Sequence, residues 1–135
     1  MKNAISLFLL TLCLLGCKKK TEILEDLVVQ AMTTGQWKIT SFQENGVDRT
    51  ADFSPYRFKY NTDNTVNAIK NGAIEKTGTW NGNASTMSIV AEFPNATQPL
   101  LIINGTWNIT RNGWSFVEAN ISQSGTLKTL RLDRE

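Results

Sequence analysis

Few side chains in this sequence have the chemistry of a reactive group, and the most pointed of them is a cysteine. Cys17 follows Leu14-Leu15-Gly16 at the end of a charge-free run that starts at Ala4. A thiolate is a nucleophile able to form a thioether, and Gly16 leaves a peptidase room to cut just before Cys17. Cys13 lies inside the same run, four residues earlier. The other candidates are carboxylates: Asp48 and Asp52 beyond the first predicted strand, and Asp63 within Asn61-Thr62-Asp63-Asn64. Paired carboxylates can act as acid and base or hold calcium. Asp and Asn are equally the residues that turns call for, and we read these three as turn residues. Histidine is absent. That takes away the Ser-His-Asp and Cys-His arrangements, the usual zinc sites and the commonest general base. The chain reads as non-enzymatic, with no catalytic residue, metal ligand or cofactor.

Met1-Lys2-Asn3 is a short positive start, and the twelve residues 4–15 carry no charge. Secretory apolar segments run about 7–15 residues, whereas a bilayer-spanning helix needs about 20. This run is too short to span, and Lys18-Lys19-Lys20 cannot extend it. It reads as a signal peptide. Where ordinary signal peptides end in small residues, this one ends in Leu14-Leu15-Gly16-Cys17, which resembles the lipobox of bacterial lipoproteins. The resemblance implies that residues 1–16 are removed and that Cys17 becomes the mature N-terminus, the point of lipid attachment. Acyl chains such as palmitate would then hold the protein to a membrane of the cell envelope, at about 0.8 kcal/mol per buried methylene. Lys18 in the place after the cysteine implies the outer membrane. Acylation of Cys17 would leave no thiol for a disulfide.

With 14 basic and 12 acidic residues and no basic stripe interleaved with aromatics, the chain offers nucleic acid no surface. Residues 17–135 suffice for one domain with one core. Residues 17–34 divide into the cysteine, a basic tether and a short helix from Thr21 to Met32. Thr21 is placed to cap it, and Glu22, Glu25 and Asp26 sit in its first turns, where the helix dipole favours acids. Leu24, Leu27, Val28 and Ala31 recur at helical spacing as an apolar stripe. That stripe is expected to pack on the following domain rather than lie on a membrane. Lys18, Lys19 and Lys20 would each add about 1 kcal/mol near an anionic surface, or serve only as a solvated tether.

From Gly35 the texture changes to β-branched and aromatic residues alternating with polar ones. Strands are predicted near 36–43, 55–60, 65–70, 73–80, 85–92, 100–110, 113–120 and 126–133. Asn-Gly, the strongest short hairpin signal, occurs five times, at 45–46, 71–72, 81–82, 104–105 and 112–113. Tyr56, Phe58 and Tyr60 alternate with Arg57 and Lys59, as a strand with one buried face requires. Phe42 breaks the alternation of Trp37 and Ile39, which predicts a bulge or bend there. Asn104-Gly105 reads equally as a bulge or a further hairpin. Eight strands on short connections give an all-β, up-and-down antiparallel meander. Closure into a small barrel removes its exposed edges; a flattened sandwich is the alternative.

Gly35-Gln36-Trp37, entering the first strand after a short helix, resembles the G-x-W signature of lipocalins. More closely, residues 32–135 are similar to the lipocalin-like domain of small lipoproteins of diderm bacteria, which open on a G-x-W-x-[IV] strand after a lipobox and end in an L-x-L-x-[KR] strand. Gly35 to Ile39 and Leu130 to Arg134 match those two ends. The resemblance implies that residues 35–135 form a barrel whose base is closed by Trp37 stacked on Arg131 or Arg134. It further implies a small apolar ligand held among Trp37, Tyr56, Phe58, Trp80, Trp107 and Phe116, with loop 93–98 bordering the mouth. The same aromatics, with Trp114, are what a small β core would use anyway. The competing expectation is a filled barrel that docks an envelope protein through a patch near Leu100-Leu101-Ile102-Ile103. An internal cavity of about 300 Å³ or more separates the two.

Overall fold

Nine strands follow one helix along the described residues, 12–135, of a computed structural model. Residues 1–11, with the opening of the apolar run, lie outside them, as does the side chain of Cys17. The helix α1 spans Leu12–Thr33, and the strands are β1 (Trp37–Glu44), β2 (Val47–Asp48), β3 (Tyr56–Tyr60), β4 (Thr65–Lys70), β5 (Ala73–Asn83), β6 (Ser88–Glu92), β7 (Gly105–Asn112), β8 (Phe116–Gln123) and β9 (Thr126–Arg134). Each strand pairs antiparallel with its neighbour, and β1 pairs with β9 from Trp37↔Arg134 to Glu44↔Lys128. An eight-stranded up-and-down barrel is thereby closed, with β2 as a short addition beside β1.

The predicted break in β1 is present. The β1–β9 register shifts between Ile39 and Ser41, and this one extra residue lets Trp37, Ile39 and Phe42 all face the core. β1 meets β3 at only one position, Trp37↔Phe58. Beyond it β1 curls toward β2, and the 3₁₀ turn Thr50–Phe53 fills the opening. There Phe42 N–H donates to Thr50 Oγ1 and Arg49 N–H to the Phe42 carbonyl, and Phe53 is wholly buried.

Turn chemistry sorts the five Asn-Gly dipeptides, of which Asn112-Gly113 ends β7 without positive φ at either residue. Asn45-Gly46 and Asn71-Gly72 take positive φ at both residues and turn β1 into β2 and β4 into β5. Ser124-Gly125 adopts the same geometry between β8 and β9. Asn81-Gly82 instead continues β5 in strand. A Cβ at Gly82 would stand 2.9 Å from Val28 Cγ1, so this glycine makes room for α1. Asn104-Gly105 is neither bulge nor hairpin. Asn104 clamps the Phe93 backbone, accepting from its N–H and donating to its carbonyl, and β7 begins at Gly105.

The helix is already present at Leu12, the first described residue, so Thr21 is an interior residue and not a cap. No proline interrupts residues 12–33, and Leu, Lys, Glu and Ala favour helix throughout. Its C-terminal end is tightly held. Trp37 Nε1–H donates to the Met32 carbonyl at 2.8 Å and Lys59 Nζ to that of Thr33 at 2.7 Å, while Arg134 Nη1 reaches that of Ala31 at 3.4 Å. Those carbonyls have no partner within the helix, and two of the three donors are cations, which the negative end of the helix dipole attracts. Among the described residues no helix is long and apolar enough to cross a membrane.

Candidate functional site: a filled barrel and an open apolar groove

Alternation along the strands sends one side chain in two to the barrel axis. Ile39, Phe58, Ile89, Trp107, Val117, Ala119, Leu130 and Leu132 meet there, and the space left among them is about 40 Å³. On this measure a cavity needs about 10–15 Å³ to hold one water molecule, and ligand pockets run about 300–1,000 Å³. The interior is a packed core. Both ends are closed as well. At the end where β1 begins, the helix end, Met32, Trp37 and Trp80 are buried; at the far end, Phe53, Phe93, Leu100, Ile102 and Ile103 are.

One device recurs in this closure. Gly35-Gln36-Trp37, Gly78-Thr79-Trp80 and Gly105-Thr106-Trp107 are three copies of G-x-W. Each tryptophan is at most 3% exposed, and each donates its indole N–H to a backbone carbonyl: Met32 for Trp37, Asn61 for Trp80 and Ile103 for Trp107. Those acceptors lie in the helix, in the β3–β4 turn and in the 3₁₀ turn Leu100–Ile103. Each indole thus ties a strand to the segment that crosses an end of the barrel, where a Trp N–H must find a partner once buried.

The structure distributes the sequence-predicted ligand residues unevenly. Phe58 and Trp107 line the small cavity. Trp37, Tyr56 and Trp80 are buried but pack toward the ends, Trp80 edge-on to Tyr60 at 5.4 Å. Phe116 is a correction. Along β8 it is Val117, Ala119 and Ile121 that face inward, so Phe116 faces out, covered by the Arg131 and Arg111 guanidiniums at 4.6 and 5.2 Å. The barrel-closing pair is corrected for the same reason of phase. Arg131 belongs to the outer face of β9, bound to Glu118 and Asp133, and the cation over Trp37 is Arg134, 5.9 Å from the ring. The run Leu100–Ile103 is not an exposed patch: three of its four residues are buried and only Leu101 is exposed. Loop 93–98 borders no open mouth, since Phe93 is buried in the plug.

The carboxylates have structural occupations. Asp48 Oδ1 accepts from the Thr50 hydroxyl and N–H, and Asp63 Oδ1 from those of Thr65. These bonds favour the ionised form and hold both carboxyls below the usual carboxylate range. Asp52 is paired with Arg49 at 2.8 Å. Tyr56 has a larger shift. Burial, then the hydrogen bond to Glu75, pushes its phenol from 10.0 up to about 12. The native state therefore favours the neutral phenol, and this stabilisation is complete below pH 10.0 and lost as pH rises through about 12. Burial raises Tyr60 in the same direction. Urea unfolding followed from pH 9 to 12 should show a steeper loss of stability for the natural protein than for Tyr56→Phe, and identical slopes would discount the raised titration of Tyr56.

Outside the barrel, α1 and two turns of the helix end enclose an open groove of about 420 Å³. Leu24, Leu27, Val28 and Ala31 line its helix side, and Ala84, Met87 and Trp114 line the turns between β5 and β6 and between β7 and β8. Only part of the apolar stripe packs as expected. Of the stripe, Val28 reaches the core, as does Met32 just beyond it, while Leu24 and Leu27 stay 46% and 43% exposed. Trp114 is 54% exposed and Met87 44%. Met87 also takes φ +47°, a conformation that side chains with a Cβ seldom adopt. This groove escaped the sequence reading because its two sides lie more than fifty residues apart; the exposed tryptophan next to Gly113 was the one local signal.

No protein-family model matches this chain, and no curated protein does. Among solved structures it is similar to a DUF4847 family protein from Bacteroides vulgatus ATCC 8482, with 10% sequence identity over 80% of this chain and 97% of that one, at a TM-score of 0.57. At that identity the likeness is one of fold, and the chain is a small β-barrel of the same kind.

Proposed function

We propose that this chain is a lipid-anchored protein of the bacterial cell envelope, held through Cys17, that acts non-enzymatically from the outside of a filled barrel. The observation that carries the choice of a filled barrel is the interior volume of about 40 Å³ with both ends closed by buried side chains. An apolar ligand would have to displace the core that holds the fold together. The engagement of Asp48, Asp52 and Asp63 in turns and an ion pair supports a non-catalytic role. The lipobox resemblance at Leu14-Leu15-Gly16-Cys17 supports the anchor, and Lys18 supports the outer membrane. Partners are then a membrane at the N-terminus and an envelope protein on the outer surface.

One pair of preparations tests both halves. The natural chain expressed in a diderm bacterium should sediment with membranes after a high-salt wash and carry acyl mass on its N-terminal peptide. Cys17→Ser should be released, and in native mass spectrometry it should fly at its bare polypeptide mass. Retention of Cys17→Ser in the washed membranes would overturn the anchor. A reproducible extra mass, lost on denaturation, would overturn the filled barrel and restore the apolar-ligand reading.

A further inference from the structure

We propose that the helix end of the barrel is a membrane-docking surface: the groove between α1 and the turns bearing Met87 and Trp114 takes lipid at the bilayer interface, so that the protein lies against the membrane rather than dangling from it. The proposal rests on the anchor reading of Cys17 for what brings the membrane near, and on the described residues for what meets it.

Placement argues for lipid as the occupant. Ile23, Leu24 and Leu27 on α1, with Met87 and Trp114 on the adjoining turns, are all large apolar side chains left exposed at this end of the barrel. That end is the one from which the chain leads back to its attachment point. Cys17 lies seven residues before Leu24 in the same helix, about 10 Å at 1.5 Å per residue. A bilayer holding acyl chains on Cys17 is therefore at the groove's edge. The helix cannot swing the groove away, because Trp37, Lys59 and Arg134 bind the carbonyls of its last turn to the barrel. Composition agrees with placement. A half-exposed tryptophan on a turn suits the headgroup level, where its ring is apolar and its N–H stays wet. Glu22, Glu25 and Asp26 fall off the Leu24-Leu27-Ala31 line at helical spacing, which leaves that line free of acids. Lys18, Lys19 and Lys20 sit between the attachment point and the groove, as attraction to anionic headgroups requires. An amphipathic helix lying in the interface plane buries its apolar face in this manner.

Tryptophan fluorescence reads the outcome, because Trp37, Trp80 and Trp107 are buried and Trp114 is exposed. Emission that acrylamide quenches thus comes from Trp114. Residues 17–135 contain a single cysteine, Cys17, and every buried core residue lies at Met32 or beyond, so this chain keeps the whole barrel. Cys17 is coupled through its thiol to a maleimide phospholipid in vesicles of phosphatidylethanolamine and phosphatidylglycerol. On tethering, acrylamide quenching should fall severalfold, the emission should shift to the blue, and lipid brominated near the headgroup should quench it. Trp114→Phe should lose all three signals. Leu24→Glu/Leu27→Glu, altering two exposed positions, should restore acrylamide access while tethered. Quenching equal to that of the free protein would overturn the proposal, as would continued shielding in the Leu24→Glu/Leu27→Glu chain. Shielding that already develops without vesicles, with a doubled mass in solution, would overturn it in favour of a second copy of the chain. Since the tether is chemical, failure here leaves the lipidation of Cys17 standing, and failure of lipidation in cells leaves this test intact.

Discussion

Trp37→Ala should lower the unfolding free energy by about 3–5 kcal/mol, the range for removing a large aromatic ring from a core. Three losses combine. The ring is wholly buried between β1 and the helix end. Its N–H is the donor to the Met32 carbonyl, and leaving that acceptor unpaired in a dry site costs about 1–3 kcal/mol. The Arg134 guanidinium above the ring loses its aromatic face, a further contribution of about 0.5–2 kcal/mol. These terms overlap, so the total stays within the range for the ring and does not reach their sum. Trp37→Phe keeps most of the packing and should cost only the smaller share. Trp114→Ala, on an exposed turn, should stay within about 0.5 kcal/mol. Urea unfolding of the three variants checks the order. A Trp37→Ala protein as stable as Trp114→Ala would show that the helix end is not closed by this residue.

Gly78→Ala should be nearly as damaging, at about 3 kcal/mol, the upper part of the usual overpacking range. A Cβ built there stands 2.2 Å from the Glu92 carbonyl oxygen and 2.9 Å from Phe93 Cδ1. The obstacle is backbone, which no rotamer change can move. It exists because β6 ends at Glu92 and the chain then turns so that Phe93 enters the core, passing over β5 at Gly78. Gly46→Ala is the control. It has no neighbour within 4 Å but takes φ +78°, so its cost should be the conformational one alone, about 1 kcal/mol. Thermal unfolding of both should rank Gly78→Ala well below Gly46→Ala. Equal shifts would mean that the β5–β6 crossing relaxes and that the space at the second G-x-W glycine is not limiting.

Much of the barrel was legible in the chain because it rests on local rules. Tyr56-Arg57-Phe58-Lys59-Tyr60 can bury one face only as a strand, and Asn45-Gly46 and Asn71-Gly72 each favour a turn of the hand that a hairpin needs. Phe42, out of phase with Ile39, announced the bulge before β1 was placed. The errors lie where a local signal has two uses. Asn81-Gly82 has hairpin composition but serves as the flat floor under Val28, a contact with a residue more than fifty positions away. Leu100–Ile103 has strand composition but turns once as a 3₁₀ segment, because the end of the barrel needed a plug.

The fold class follows from residue types at short spacing: strand period, turn residues and the G-x-W copies. Packing, rather than spacing, selects the cation over Trp37, since Arg131 and Arg134 both end the same strand and positions three apart on a strand point to opposite faces. It also decided that the aromatics fill the barrel, because a cavity is the difference between a wall and its contents and no single residue carries it. The groove has the same origin. Leu24 and Leu27 carry the spacing of a buried stripe, yet they stay exposed, and they lie beside Met87 and Trp114.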